Sequence, residues 1–184
     1  WPKEGWTRIP FWIYSDPDLY KRELDTFFYG QTWNYVALDC EVPEIGSFKR
    51  SWIGTKQVLL TRDKDGENHV LENRCAHRGT PVCWKQAGKA KSLMCPYHQW
   101  TYKLDGELIG VPMRRGIRKQ GGMPDDFDPK NHGLGKLQVT TRNGVIYASF
   151  SKDVKPFEED IGASMLALHD RVFDGRKLKV LGYQ

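Results

Sequence analysis

Three turn signals constrain the fold of this chain more than anything else in it. Asp63-Lys64-Asp65-Gly66, Asp105-Gly106 and Arg142-Asn143 each lie between two short runs rich in aliphatic, aromatic and β-branched residues. The flanking runs are 57–61 with 68–72, 99–104 with 107–111, and 136–141 with 144–150. Such turns reverse a strand at once, because Asp, Asn and Gly tolerate the left-handed backbone that tight hairpins need. Two further runs, 33–40 and 46–53, precede the first hairpin, and Gly54-Thr55-Lys56 follows as a turn. The pattern predicts a mostly-β, antiparallel sandwich or barrel. Helices flank it. Asp16-Pro17-Asp18 caps an amphipathic run carrying Leu19, Tyr20, Leu24, Phe27 and Phe28, which should end at Gly30. After Lys155-Pro156, residues 157–173 place Ile161, Met165, Leu166, Leu168 and Val172 at helical spacing, and 176–183 reads as strand-like. This divides the chain into an N-terminal helix and lead-in (1–36), a β domain (37–152), and a helix with the start of a linker (153–184).

Composition narrows the class. Of 184 residues 39% are hydrophobic and 12% aromatic, enough for a core of normal size and too many for a disordered chain. No apolar run approaches the ~18–20 residues a membrane span needs. The opening Trp1-Pro2-Lys3-Glu4-Gly5-Trp6 has no apolar core of a signal peptide and no initiator Met, so the chain is expected to be a piece of a longer protein. The formal net charge of +5 comes without a dense basic block, which argues against nucleic-acid binding. Four Cys without a leader point to a reducing compartment, the cytoplasm, and to ligands or free thiols rather than disulfides. Residues 110–133 hold five Gly, three Pro and the basic side chains Arg114, Arg115, Arg118 and Lys119. They read as a solvated loop or as a docking or subunit-contact loop.

The chemistry gathers in two pairs, Cys75-Ala76-His77 and Cys95-Pro96-Tyr97-His98, separated by seventeen residues. One pair follows the strand at 68–72 and the other precedes the strand at 99–104. Both therefore sit on loop tips that can project ligands the same way, each offering one thiolate and one imidazole. Two Cys and two His satisfy tetrahedral zinc, although a C-x-H pair is not the usual zinc knuckle. They equally suit a two-iron, two-sulfide cluster in which both Cys hold one iron and both His the other.

The motif Cys75-x-His77…Cys95-x-x-His98 resembles that of Rieske proteins, and its setting resembles one family in particular. Residues 72–79 (Glu72-Asn73-Arg74-Cys75-Ala76-His77-Arg78-Gly79) and 95–102 (Cys95-Pro96-Tyr97-His98-Gln99-Trp100-Thr101-Tyr102), with Gly106 and Gly110-Val111-Pro112, are similar to the N-terminal part of the α subunit of bacterial aromatic ring-hydroxylating oxygenases. Trp33-Asn34-Tyr35, Gly121-Gly122-Met123-Pro124, 6–10 and 175–179 are most similar to the salicylate hydroxylase, anthranilate dioxygenase and terephthalate dioxygenase group. The resemblance implies a Rieske-type β-sandwich with a small cluster-binding subdomain. It implies Cys75, His77, Cys95 and His98 as ligands of a [2Fe–2S] cluster, with Arg78, Gly79, Tyr97 and Trp100 around them. Gly79 would let backbone N–H groups approach the sulfides, Trp100 would shield the cluster, and Arg78 would reach across a subunit contact. The respiratory Rieske type carries an extra Cys in each loop, joined as a brace. Thr80 and Tyr97 occupy those positions here, so no brace forms, and Cys40 and Cys83 read as free thiols in or near the core.

Exchanging two thiolates for two neutral imidazoles removes negative charge. That moves the potential from about −400 mV for all-Cys plant-type clusters into the range of roughly −150 to +300 mV. With neither the brace nor the usual hydroxyl donors to sulfur, the expected place is the low end. The outward imidazole nitrogens should make the potential fall as pH rises. By resemblance the function is electron relay, in an enzyme drawing on NAD(P)H through a reductase. A ferredoxin or reductase feeds the cluster, which feeds a mononuclear Fe(II) held by two His and a carboxylate in a C-terminal domain absent here. The outlet would be a neighbouring α subunit of a trimer, where His77 or His98 meets an Asp beside the iron. A small β subunit is a further expected partner; a membrane and nucleic acid are not. His69, His132 and His169 read as surface or core residues. A stand-alone Rieske-type ferredoxin and a zinc-stabilised binding module are the alternatives.

Overall fold

Ten strands follow one another in the computed structural model, which describes residues 3, 5–118 and 120–182. Trp1, Pro2, Glu4 and Lys119, named above, and the end of the run 176–183 lie outside them. The strands are β1 (Asn34–Leu38), β2 (Ser47–Ile53), β3 (Lys56–Arg62), β4 (Asn68–Glu72), β5 (Ala87–Lys89), β6 (Leu93–Met94), β7 (Thr101–Tyr102), β8 (Leu108–Gly110), β9 (Gln138–Arg142) and β10 (Val145–Ser149). Every pairing is antiparallel, and the strands form three sheets in the orders β1-β10-β9, β4-β3-β2-β5 and β6-β7-β8.

The four-stranded sheet is the middle layer, and its sequence says why. Successive side chains on a strand face opposite ways, so a strand that alternates apolar and polar has one wet face. In β3 the run Val58-Leu59-Leu60-Thr61 is buried throughout, so both faces are covered. Val58 and Leu60 join Val36, Val70, Ile146 and Ala148 in one core, against the β1-β10-β9 sheet. Leu59 and its register partner Leu71 face the other way, into a second core holding Cys75, Cys95, Trp100 and Tyr102. The two loop cysteines are thus seated against the back of the central sheet.

The turns behave as their residues require. Asp63 Oδ1 accepts the N–H groups of Asp65 and Glu67, and Asp105 Oδ1 accepts that of Glu107. At Gly106 φ is +87°, and a Cβ there would lie 2.8 Å from Leu71 Cδ2. The third turn is shifted by one residue from the expectation. Val145 pairs with Arg142, so Asn143-Gly144 is the two-residue loop, both residues with positive φ, 49° and 81°. β7 and β8 are shorter than 99–104 and 107–111. Lys103 N–H donates to Glu107 O across the turn, and the Leu104 carbonyl takes the Thr61 hydroxyl at 2.5 Å instead of a ladder partner. β1 begins at Asn34, so the boundary expected at 36/37 falls inside a strand.

α1 (Pro17–Glu23) starts as expected, with Asp16 Oδ1 accepting Leu19 N–H at 2.7 Å. It widens into a π-type turn over Leu24–Phe28 before Gly30, where a Cβ would strike Thr26 O. α2 (Phe157–Val172) is interrupted at Gly162 (φ 76°, ψ 156°). Its end is tied to the β9–β10 hairpin by Arg142, which donates twice to Asp170, and by Asn143, which donates to Asp170 and to Phe173 O. The strand expected at 176–183 does not form. Residues 176–182 pair with no sheet and run as irregular chain. No helix of the described residues is long and apolar enough to cross a membrane.

Candidate metal centre

The two ligand loops share one backbone despite their different sequences. In the first, Cys75 N–H donates to Thr80 O and Gly79 N–H returns to Cys75 O. In the second, Cys95 N–H donates to Trp100 O and Gln99 N–H returns to Cys95 O. In both, the residue four past the Cys is left-handed, Gly79 at φ 76° and Gln99 at φ 60°. Gly takes that conformation freely, whereas Gln does so at a cost. The His follows its Cys by two residues in one loop and by three in the other, so equal backbones present their imidazoles from different positions.

Those positions bring like with like. Cys75 and Cys95 are both buried, in the same core cluster. His77 is exposed and His98 half-buried, with ring centroids 4.7 Å apart and edge to face. Sulfur donors therefore sit inside and nitrogen donors outside. No three of the described His, Cys, Asp and Glu side chains are arranged to hold a single metal ion. Burial raises the Cys95 thiol above the usual range. The N–H groups of Tyr97 and His98 pull it back down, and Cys75 pushes it up again. Two adjacent buried thiols cannot both ionise without a cation between them, which is what a metal supplies. His77 is held below the usual imidazole range by desolvation first, then by the nearby His98 and Arg78. That favours the neutral form a metal requires. The donor set fits a two-iron cluster with unlike ends.

Comparison with known proteins agrees. Residues 32–120 match the model of the Rieske [2Fe-2S] domain. These residues are a Rieske [2Fe–2S] domain. The chain is 53% identical, over its whole length, to the large oxygenase component of salicylate 5-hydroxylase from Ralstonia sp, of which it spans 44%. It is 46% identical to the large subunit of anthranilate 1,2-dioxygenase from Burkholderia cepacia, covering 94% of this chain and 41% of that one. Naphthalene 1,2-dioxygenase from Rhodococcus sp. superposes with a TM-score of 0.76 at 28% identity, over 86% of this chain and 35% of that chain. The chain thus spans less than half the length of these relatives, their N-terminal part.

The Rieske domain surrounds its donors with aromatic rings. Trp100 is buried and lies parallel to His77, centroids 4.8 Å apart and planes 9° apart. Tyr97 is exposed and tilted over His98, and the Arg78 guanidinium stands 5.6 Å from the Tyr97 ring. Gly79 sits at the bend of the first loop. Its N–H is committed to the Cys75 carbonyl, and what it supplies is the left-handed bend, packed against Arg74. The expectation that no hydroxyl reaches a ligand sulfur is overturned. Tyr102, fully buried, places its OH 3.2 Å from Cys75 Sγ. The same oxygen accepts Ala76 N–H at 3.2 Å, which leaves its own proton for the sulfur. Burial first, then Cys75, holds the phenol well above its usual range, so it stays protonated. One of the two grounds for a low potential is thereby removed. Cys40 and Cys83 are free thiols, both half-buried.

The segment 110–133 turns back on the domain. Phe127 meets Trp100 edge to face at 5.8 Å, and His132 stacks on Phe127 at 4.5 Å while standing edge-on to Trp100. His132 therefore belongs to the aromatic wall behind His77. Its one sequence signal was membership of the same glycine-rich segment. His69 pairs with Asp63, and His169 with Asp170 among Tyr147, Phe157 and Phe173, away from the donors.

Proposed function

We propose that Cys75, Cys95, His77 and His98 hold the [2Fe–2S] cluster, the thiolates one iron and the imidazoles the other, in the electron-relay part of an aromatic-acid ring-hydroxylating oxygenase. One observation carries the reading: two loops of equal backbone gather both thiols inside and both imidazoles outside. Bound here, the cluster accepts and passes on one electron at a time. The protein's part is to hold it. Tyr102 and the N–H groups of Tyr97 and His98 give hydrogen bonds to the ligand sulfurs, and Trp100 shields one imidazole face. The exposed His77 edge and the half-buried His98 are the route in and out.

The relatives' names support the assignment to an oxygenase large subunit, which we place in the bacterial cytoplasm. In that reading a ferredoxin or reductase supplies the electron. A mononuclear iron outside these residues, in a C-terminal domain or a neighbouring α subunit, would take that electron and supply the O₂ chemistry, with a small β subunit as a further partner. The test is anaerobic reduction of the protein purified with its metal. A brown protein giving a rhombic EPR signal with average g well below the free-electron value supports the reading. A colourless protein carrying zinc refutes it.

A further inference from the structure

The two cluster loops match at their tips and differ at their bases. The second loop is closed below Cys95 by a hairpin. Met94 pairs with Thr101, and Leu93 with Tyr102, so the residues one and two before the Cys pair with those six and seven after it. The first loop has no such ladder. β4 ends at Glu72, and the chain past Thr80 runs on toward β5 without pairing back. At the rung two before and seven after Cys75 stand Asn73 and Val82, and there a side chain replaces the missing backbone pair. Asn73 Oδ1 accepts Val82 N–H and Cys83 N–H, both at 2.9 Å. Asn73 Nδ2 donates to Cys83 O at 2.8 Å and to Gln57 Oε1 at 3.1 Å. Its own N–H donates to Gln57 O on β3. Asn73 is 3% exposed, and its carboxamide makes all four hydrogen bonds it can make.

From this we infer that Asn73, steadied by Gln57, is a positioning residue that closes the base of the first ligand loop. It takes the place of the hairpin that closes the second, and so keeps Cys75 and His77 in register with Cys95 and His98. The inference rests on the reading of those four residues as cluster ligands. A carboxamide suits the task because a single planar group can accept from two N–H groups on one side and donate to two carbonyl-type oxygens on the other. A hydrophobic residue there would bury three backbone groups of residues 82–83 without partners.

The test compares full-chain protein purified with its cluster, as wild type, Asn73→Ala, Gln57→Leu, Gln57→Glu and Ser51→Ala. Ser51→Ala is the control, since its hydroxyl bonds to Val36 O in the other core. Cluster release to an excess of iron chelator is followed by the visible circular dichroism of the cluster, well below every variant's Tm, together with the width of the EPR lines. Asn73→Ala should release the cluster at least about tenfold faster and broaden the lines. Gln57→Leu should do the same more weakly, and it decides the matter if Asn73→Ala does not fold. Gln57→Glu, whose carboxylate still accepts from Asn73, should stay near wild type, and Ser51→Ala should lower Tm with release unchanged. Release and line shape in Asn73→Ala or Gln57→Leu equal to those of the Ser51→Ala control would overturn the brace alone. A wild-type protein without a Rieske signal would overturn the ligand reading and the brace with it.

Discussion

Tyr102→Phe removes one oxygen atom from the interior and with it, among the described residues, the one side-chain hydroxyl on Cys75 Sγ. The ring stays, so the second core keeps its shape. Two contacts go: the O–H to Cys75 Sγ and the acceptor for Ala76 N–H, each 3.2 Å long. The reduced cluster carries one more negative charge than the oxidised, so a donor to sulfur bonds more strongly after reduction and raises the potential. Hydrogen bonds to charged groups contribute about 1.5–3 kcal/mol net. If roughly half of that distinguishes the two redox states, the difference is about 0.8–1.5 kcal/mol. At 59 mV per tenfold for one electron, the potential should fall by roughly 35–65 mV. The assay is a redox titration of both proteins at one pH, read by EPR of the reduced cluster. Because the phenol is held protonated by burial and by Cys75, the slope of potential against pH should be the same in both proteins. A rise, or a fall under about 10 mV, would show that the Tyr102 proton is not on the sulfur and would refute the reasoning. A changed pH slope would refute the claim that Tyr102 stays neutral.

Other consequences follow from the same coordinates. Asp170 is held down to about 2, by the Arg142 hydrogen bonds first and His169 second, against an ordinary value of 3.8. A depressed carboxylate stabilises the fold above its unfolded value and ceases to do so as pH falls through the folded one. The hold of α2 on the β9–β10 hairpin should therefore be full above pH 4 and fade toward pH 2, as loss of amide protection in 157–172 ahead of β3 and β4. Asp170→Asn should abolish that acid step. Gly106→Ala must place a methyl at φ +87°, 2.8 Å from Leu71 Cδ2. It should cost roughly 1–3 kcal/mol and lower Tm by roughly 3–10 °C in thermal melts of the holoprotein. Stripping the iron should raise hydrogen exchange at 75–80 and 95–99, where buried thiols lose their compensating cation. β3, buried on both faces, should remain protected.

What could be read in the residues beforehand was whatever acts over a few positions. Asp and Gly at the turns located the hairpins, Asp16 marked the first helix start, and the Cys and His spacings marked the two loops whose side chains the fold brings together. What was missed acts across the fold. Tyr102 and Cys75 are 27 positions apart, and nothing near either shows that β7 will lay a phenol on the opposite loop. Asn73 looks like any turn asparagine until the bases of the two loops are compared. The reading of 176–183 as a strand failed for the same reason, since alternation can mark a strand but cannot supply its partner. The third turn was displaced because Asn143 and Gly144 both need positive φ, and a two-residue loop puts both at its centre.

The left-handed residues of the two loops differ in kind. Gly79 adopts its conformation freely, whereas Gln99 adopts the same one against its preference. Cys95 N–H to Trp100 O and Gln99 N–H to Cys95 O close the second loop just as their counterparts close the first. The hairpin beneath it over-determines the bend, so a residue with a Cβ can be carried there. The first loop has no ladder beneath it. It relies on a glycine at the bend and on one asparagine at the base, so it is the loop whose geometry a single substitution can most readily loosen.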